Sequence, residues 1–209
     1  MKNIYFLFLF LFLFLLNITQ AIADEVSFNF KFIESTPKFG LILVENNKKI
    51  ESDTIIDQKN KKFIKKFFVS NNGGEISIKN SDKYGHNVYI NDRINSFKYD
   101  SGLIKQGDLK KTNLNIDDNR MIRVGCKIHP RMKSYIIKSK SNNYKEILFS
   151  EKNKEHKFKL DRINENENTF KVFIPNLNPI TFTAIKGELK ELEIIKKNEI
   201  IGFLSISRI

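Results

Sequence analysis

Val26, Phe28, Phe30 and Phe32 alternate with Ser27, Asn29 and Lys31. Apolar side chains on every second residue place one face of a strand in a core and the other in water, a pattern no helix can satisfy. It recurs in shorter pieces: Leu41 to Val44, Phe67-Phe68-Val69, Ile76-Ser77-Ile78, Val88-Tyr89-Ile90, Leu114-Asn115-Ile116, Met121 to Val124 and Tyr135-Ile136-Ile137 each read as a strand. Between Val69 and Ile76, Asn71-Asn72-Gly73-Gly74 predicts a tight hairpin, because Gly accepts positive φ. No long 3.6-residue periodicity competes, although Leu103 to Leu109 leaves room for a short helical turn. Many short strands divided by turn residues predict an all-β chain, folded as a Greek-key β-sandwich.

A Greek key can bring strands distant in sequence to one pole, so the loop after Asn80 can face the loop after Val124. Those loops carry the reactive side chains. Cys126-Lys127-Ile128-His129-Pro130-Arg131-Met132 offers a thiolate, an imidazole and a thioether, and His86 supplies a second imidazole. Two His nitrogens and one Cys sulfur in a plane, with a weak axial Met, form the donor set of blue-copper electron-transfer sites. Soft sulfur ligands suit copper, whereas carboxylates would suit Mg or Ca. Zinc is the competitor, but a structural zinc site wants four strong Cys or His ligands. Only three are grouped here. Nucleophilic catalysis by Cys126 and His129 fits the tight spacing less well than ligation does.

The start of the chain predicts export. Lys2 precedes an apolar run from Ile4 to Leu16, and Ala21-Ile22-Ala23 precedes Asp24, the three parts of a secretory signal peptide cleaved after Ala23. The run is too short for a spanning helix, which needs about eighteen or more apolar residues, so no stable membrane span is expected after cleavage. Export makes the single Cys informative. Exported proteins pair their cysteines or have none, and a disulfide within this chain is impossible with one Cys. The net charge is +12, and removing Lys2 leaves +11. Such a balance points to an acidic partner or an anionic surface. Nucleic acid is not expected, because the chain is exported and its lysines form no compact basic motif.

From Ser139-Lys140-Ser141-Asn142-Asn143 the composition turns polar, as in a linker. Beyond it, Thr169 to Ile174, Ile180 to Ala184, Leu192 to Ile195 and Ile200 to Ile206 read as strands of a small second β domain, or of an extension of the first sheet. His156 lies in a charged run and is expected to be a solvated surface residue.

Asp57-Gln58 through Phe63, Gly73 to Asp82, His86-Asn87-Val88-Tyr89 and Cys126 to Met132 together resemble a plastocyanin-like cupredoxin. The Cys-x2-His-Pro-x-Met loop is similar to the short ligand loop of amicyanin-type members, including exported cupredoxin-domain proteins of methylamine utilisation. The resemblance covers residues 50 to 138. It implies a cupredoxin-type sandwich with one type 1 copper, held by His86, Cys126 and His129 in the plane and Met132 on the axis, with Asn87 tying the two ligand loops together. It further implies that the exposed edge of His129 is the electron port, with Pro130 and Arg131 near the docking surface.

The expected organisation is therefore a signal peptide at 1–23, a cupredoxin-like domain at 24–138 and a β-rich region at 139–209. The expected function is single-electron transfer between redox partner proteins, one of them acidic, in the periplasm. Copper carriage or sequestration by the same ligands is the alternative. An enzyme is not expected, since a catalytic copper needs further His ligands and only His156 remains.

Overall fold

The computed structural model describes residues 24–45, 53–70, 75–92, 94, 96–113, 120–141 and 143–209. The predicted signal peptide, the Asn71 to Gly74 turn and the predicted strand at Leu114 to Ile116 lie outside the described residues. All the regular structure described is strand. The order is β1 (Asp24–Phe32), β2 (Phe39–Val44), β3 (Thr54–Lys59), β4 (Lys62–Phe63), β5 (Phe67–Ser70), β6 (Glu75–Asn80), β7 (Val88–Asp92), β8 (Phe97–Asp100) and β9 (Leu109–Asn113). It continues with β10 (Met121–Cys126), β11 (Lys133–Lys138), β12 (Tyr144–Leu148), β13 (Glu155–Ile163), β14 (Thr169–Phe173), β15 (Ile180–Thr183), β16 (Leu189–Lys196) and β17 (Glu199–Arg208).

The strands build two sandwiches. Sheets β5-β11-β10-β7-β8 and β4-β3-β6-β9 form one, closed around Ile56, Phe68, Ile78, Val88, Val124, Cys126, Met132 and Ile136. Sheets β13-β1-β17-β16 and β12-β2-β14-β15 form the other, closed around Phe28, Phe30, Ile42, Phe170, Val172, Phe182 and Leu204. The predicted division at 138/139 does not follow these sheets. β1 pairs with β13 and β17, and β2 with β12 and β14. The first two strands thus belong with the C-terminal ones, and β3 to β11 form a sandwich inserted between β2 and β12. The alternation in β1 reports a buried face without naming the partner strand, so this exchange leaves no local mark.

The seam between the sandwiches explains the doublets in the sequence. Ile42 and Val44 point into one core while Leu41 and Leu43 pack against Phe67, Ile137 and Phe173 in a third cluster. β2 is buried on both faces and therefore reads as a continuous apolar run. Phe67-Phe68 and Ile136-Ile137 likewise split, one residue to the seam and its neighbour to the inserted core. Five fully buried side chains at about 1.5–3 kcal/mol each make this a packed junction and not a loose tether.

Three local expectations are corrected. β5 and β6 do not form a hairpin: β5 lies parallel to β11, β6 lies parallel to β3, and the chain crosses from one sheet to the other between them. Leu103 to Leu109 is no helical turn, since Ile104 bridges to His86 and Gly107, at φ 83°, sits in a turn closed by the Asp108 N–H on the Lys105 carbonyl and tied to β6 by its own N–H on the Asn80 carbonyl. His156 is buried, with its ring against Phe149 and Phe32 and its Nε2 on the Asn153 carbonyl. It follows the period-two pattern of β13, in which His156 and Leu160 turn inward while Glu155, Lys157 and Lys159 carry the charge outward.

Gly202 allows β17 to cross β1. A Cβ there would lie 2.5 Å from the Lys31 carbonyl oxygen, a backbone atom that cannot swing aside. Gly202→Ala is expected to destabilise the protein by about 1–3 kcal/mol, the usual cost of overpacking, read as a lower urea midpoint. An unchanged midpoint would mean that β17 slides freely on β1.

Candidate metal centre

His86 lies between β6 and β7 on a loop tied at every turn. Asn80 Nδ2 donates to the carbonyls of Tyr84 (2.8 Å) and Ile104 (2.9 Å), and its Oδ1 accepts the Asp82 N–H (2.9 Å). Asp57 accepts the Ser81 N–H and hydroxyl at 3.0 and 2.8 Å. Asp82 Oδ2 accepts the Lys61 N–H at 2.6 Å and faces His86 Nε2 at 3.1 Å. The Lys61 N–H is presented by a two-residue hairpin between β3 and β4, with Asn60 and Lys61 both at positive φ. His86 exchanges backbone hydrogen bonds with Ile104 and has no exposed surface.

Cys126 ends β10 beside Val88 of β7. The Lys127 N–H donates to the Asn87 carbonyl (2.9 Å), which joins the two loops, and the Met132 N–H donates to the His129 carbonyl (2.9 Å), which closes a tight turn from His129 to Met132. Asn87 therefore ties the loops through its backbone. Its side-chain amide contributes to holding the Asp100 carboxyl below the ordinary carboxylate value, after Lys127 and the Gly102 N–H, and its Oδ1 is buried without a hydrogen-bond partner. Met132 is buried in the same core cluster as Cys126. Gly125 matters for close approach: a Cβ at that position would sit 2.4 Å from the Tyr89 ring, which lies over the strand just before Cys126.

The three strong donors converge. Cys126 Sγ lies 3.7 Å from His86 Nδ1 and 3.8 Å from His129 Nδ1, and the two Nδ1 atoms are 3.2 Å apart. A point equidistant from all three is about 2.1 Å from each, the length of a metal–imidazole bond and slightly under the 2.3 Å of a zinc–thiolate bond. The triangle is thus the size of a metal ion. Among the described residues no fourth His, Cys, Asp or Glu joins the group, so the residues fit a three-coordinate soft site better than a structural zinc site.

The protonation states suit ligation. With Asp82 accepting the Nε2 proton of His86, that ring presents a lone pair at Nδ1. Burial works to raise the Asp82 carboxyl, but the Lys61 N–H and the His86 ring outweigh it and hold the group below the ordinary carboxylate value. Burial first, and the Lys61 ammonium to a smaller extent, hold His129 below the ordinary histidine value, in favour of the neutral ring that a metal requires. Asp82 was not singled out by sequence reasoning. Its signal was present as a carboxylate four residues before a candidate ligand His, but that spacing is meaningful only once the loop is seen to fold back on itself.

No family model and no curated protein matches the chain. Among solved structures it is similar to amicyanin from Paracoccus versutus (Thiobacillus versutus), with 15% identity and a TM-score of 0.37, covering 47% of this chain and 97% of that one. It is also similar to a purple cupredoxin from Nitrosopumilus maritimus, with 17% identity and a TM-score of 0.35, covering 43% of this chain and all of that one. Both similarities span somewhat less than half of this chain.

Proposed function

We propose that this protein is an exported type 1 copper protein that passes single electrons between redox partners. The observation that carries the reading is the Cys126–His86–His129 triangle, whose centre lies at bonding distance from one thiolate sulfur and two imidazole nitrogens. Copper, when bound there, supplies a one-electron change between Cu(I) and Cu(II). The chain's part is to hold its donors still. Cys126 binds as thiolate, His86 is fixed by Asp82 from behind, and Met132 takes the weak axial position. His129 is the one strong donor that reaches the surface, since His86 and Cys126 are 0% and 2% exposed. The same enclosure favours a shuttle over a carrier that must release its ion to an acceptor. Residues 1–23 direct the chain out of the cytoplasm.

A visible spectrum with added Cu(II) tests this. A strong thiolate-to-copper charge-transfer band is expected, bleached on reduction. A colourless stoichiometric complex would remove the electron-transfer reading, and rapid surrender of Cu(I) to an acceptor protein would favour copper carriage.

A further inference from the structure

Any partner that exchanges electrons with the buried triangle directly must sit on His129, because the other two strong donors are covered. Tyr84 stands beside it, with ring centroids 6.4 Å apart in an edge-on contact, and is 40% exposed. Two amines flank the Tyr84 ring: Lys61 Nζ is 4.0 Å and Lys83 Nζ 5.3 Å from its centroid. Among the described residues neither amine pairs with a carboxylate. Two exposed apolar side chains lie next to the ligands in the chain or in space. Ile128 precedes His129, and Leu103 lies over Gly85, the neighbour of His86.

We propose that Tyr84, flanked by Lys61 and Lys83, is the seat on which an acidic protein partner docks to exchange electrons through His129. This rests on the electron-transfer reading above and names the partner's chemistry and the residues that select it. An ammonium held over an aromatic face is positioned and partly desolvated by the ring quadrupole, while its remaining N–H groups stay free to meet a carboxylate. Two such amines on one ring form a pre-ordered pair of cations, which reduces the side-chain ordering cost of association. The central ring and its apolar neighbours offer the dry contact, and the amines supply the sign of the charge. Much of the chain's net charge of +12 is scattered, but these two lysines are fixed at the edge of the one ligand a partner can reach. Lys61 also carries the backbone N–H that holds Asp82, so the seat and the support of His86 are built on the same hairpin.

The test has two arms on the full-length protein. In the first, a polyglutamate peptide is titrated into metal-free protein and into the diamagnetic copper(I) form, followed by amide chemical shifts. Shifts centred on Lys61, Lys83, Tyr84 and Ile128 are expected. Binding should weaken about tenfold in K61Q/K83Q and hold in the control Lys157→Gln, which lies on β13 of the other sandwich. Shifts spread over all lysine-bearing surfaces, or equal weakening by the control, would overturn the seat. In the second arm, the copper(I) protein gives one electron to hexacyanoferrate(III), which becomes hexacyanoferrate(II). K61E/K83E should slow this about tenfold at low salt, with the difference shrinking as the Debye length falls from about 30 Å at 0.01 M to about 10 Å at 0.1 M. An unchanged rate would also overturn it. The metal-free titration reads docking whether or not copper binds, so failure of the seat and failure of the copper reading give different results.

Discussion

Cys126→Ala and His86→Ala proteins will form no coloured Cu(II) site, whereas Met132→Gln will keep its copper with a lowered potential. Each strong bond carries a large share of the metal's affinity. Apparent binding energies of about 10–16 kcal/mol for four-donor structural sites put about 3 kcal/mol, roughly a hundredfold in affinity, on each donor. Losing Cys126 costs more, because it also removes the thiolate charge that matches the cation and the sulfur from which the charge-transfer band arises. The axial thioether is a weak, long contact that tunes the metal more than it retains it. Folding is not the obstacle to these variants, since Cys126→Ala removes one small buried group, a change on the order of 1 kcal/mol. Cu(II) titration by visible absorption, with dialysis to measure retention, reads the outcome. If Met132→Gln lost copper as completely as Cys126→Ala, the division into three strong donors and one weak one would be wrong.

What could be read in the sequence depended on whether the signal was local. The short strands were legible because period two is written in consecutive residues, as in β1 and β10. The candidate donors stood out because their types are rare in this chain and three of the four fall in one loop. Pairings were not. Nothing in Phe28 or Leu41 says whether the facing strand lies fifty or a hundred and fifty residues away, so the return of β1 and β2 to the C-terminal strands was invisible. β5 and β6 show the same limit: neighbouring strands in the sequence lie in different sheets, and nothing in Phe67 to Ser70 or Glu75 to Asn80 names the strand each one pairs with. Polar groups were the least legible. Asp82, Asn80 and Asp57 look like ordinary loop residues, and their role lies in which N–H groups and which imidazole the fold places against them. His156 failed for a simpler reason. Its neighbours are charged, but charge on alternate positions of a strand says nothing about the residue between.

Asp82 should be the most consequential residue of the site that is not itself a metal donor. Its Oδ2 meets both His86 Nε2 and the Lys61 N–H, and it is 3% exposed. A carboxylate in this position does two separable things. It fixes the ring's tautomer and orientation, and its negative charge strengthens the imidazole as a donor to the more highly charged Cu(II). Asp82→Asn leaves an oxygen able to accept from His86 and Lys61 but removes the charge, so copper is expected to stay bound with a raised potential. A tenfold preferential loss of Cu(II) over Cu(I) affinity corresponds to about 59 mV for one electron. Asp82→Ala removes the partner altogether and frees the ring to rotate, and the expected cost is about 10–100-fold in metal affinity. The two substitutions are distinguished by redox titration, by copper affinity and by the nitrogen shifts of His86, which report the tautomer in the diamagnetic copper(I) protein. If Asp82→Asn matched the natural protein in potential while Asp82→Ala lost affinity, the carboxylate would act only by orienting the ring. If both variants kept the natural affinity and potential, His86 would be positioned by its backbone bridge to Ile104 alone.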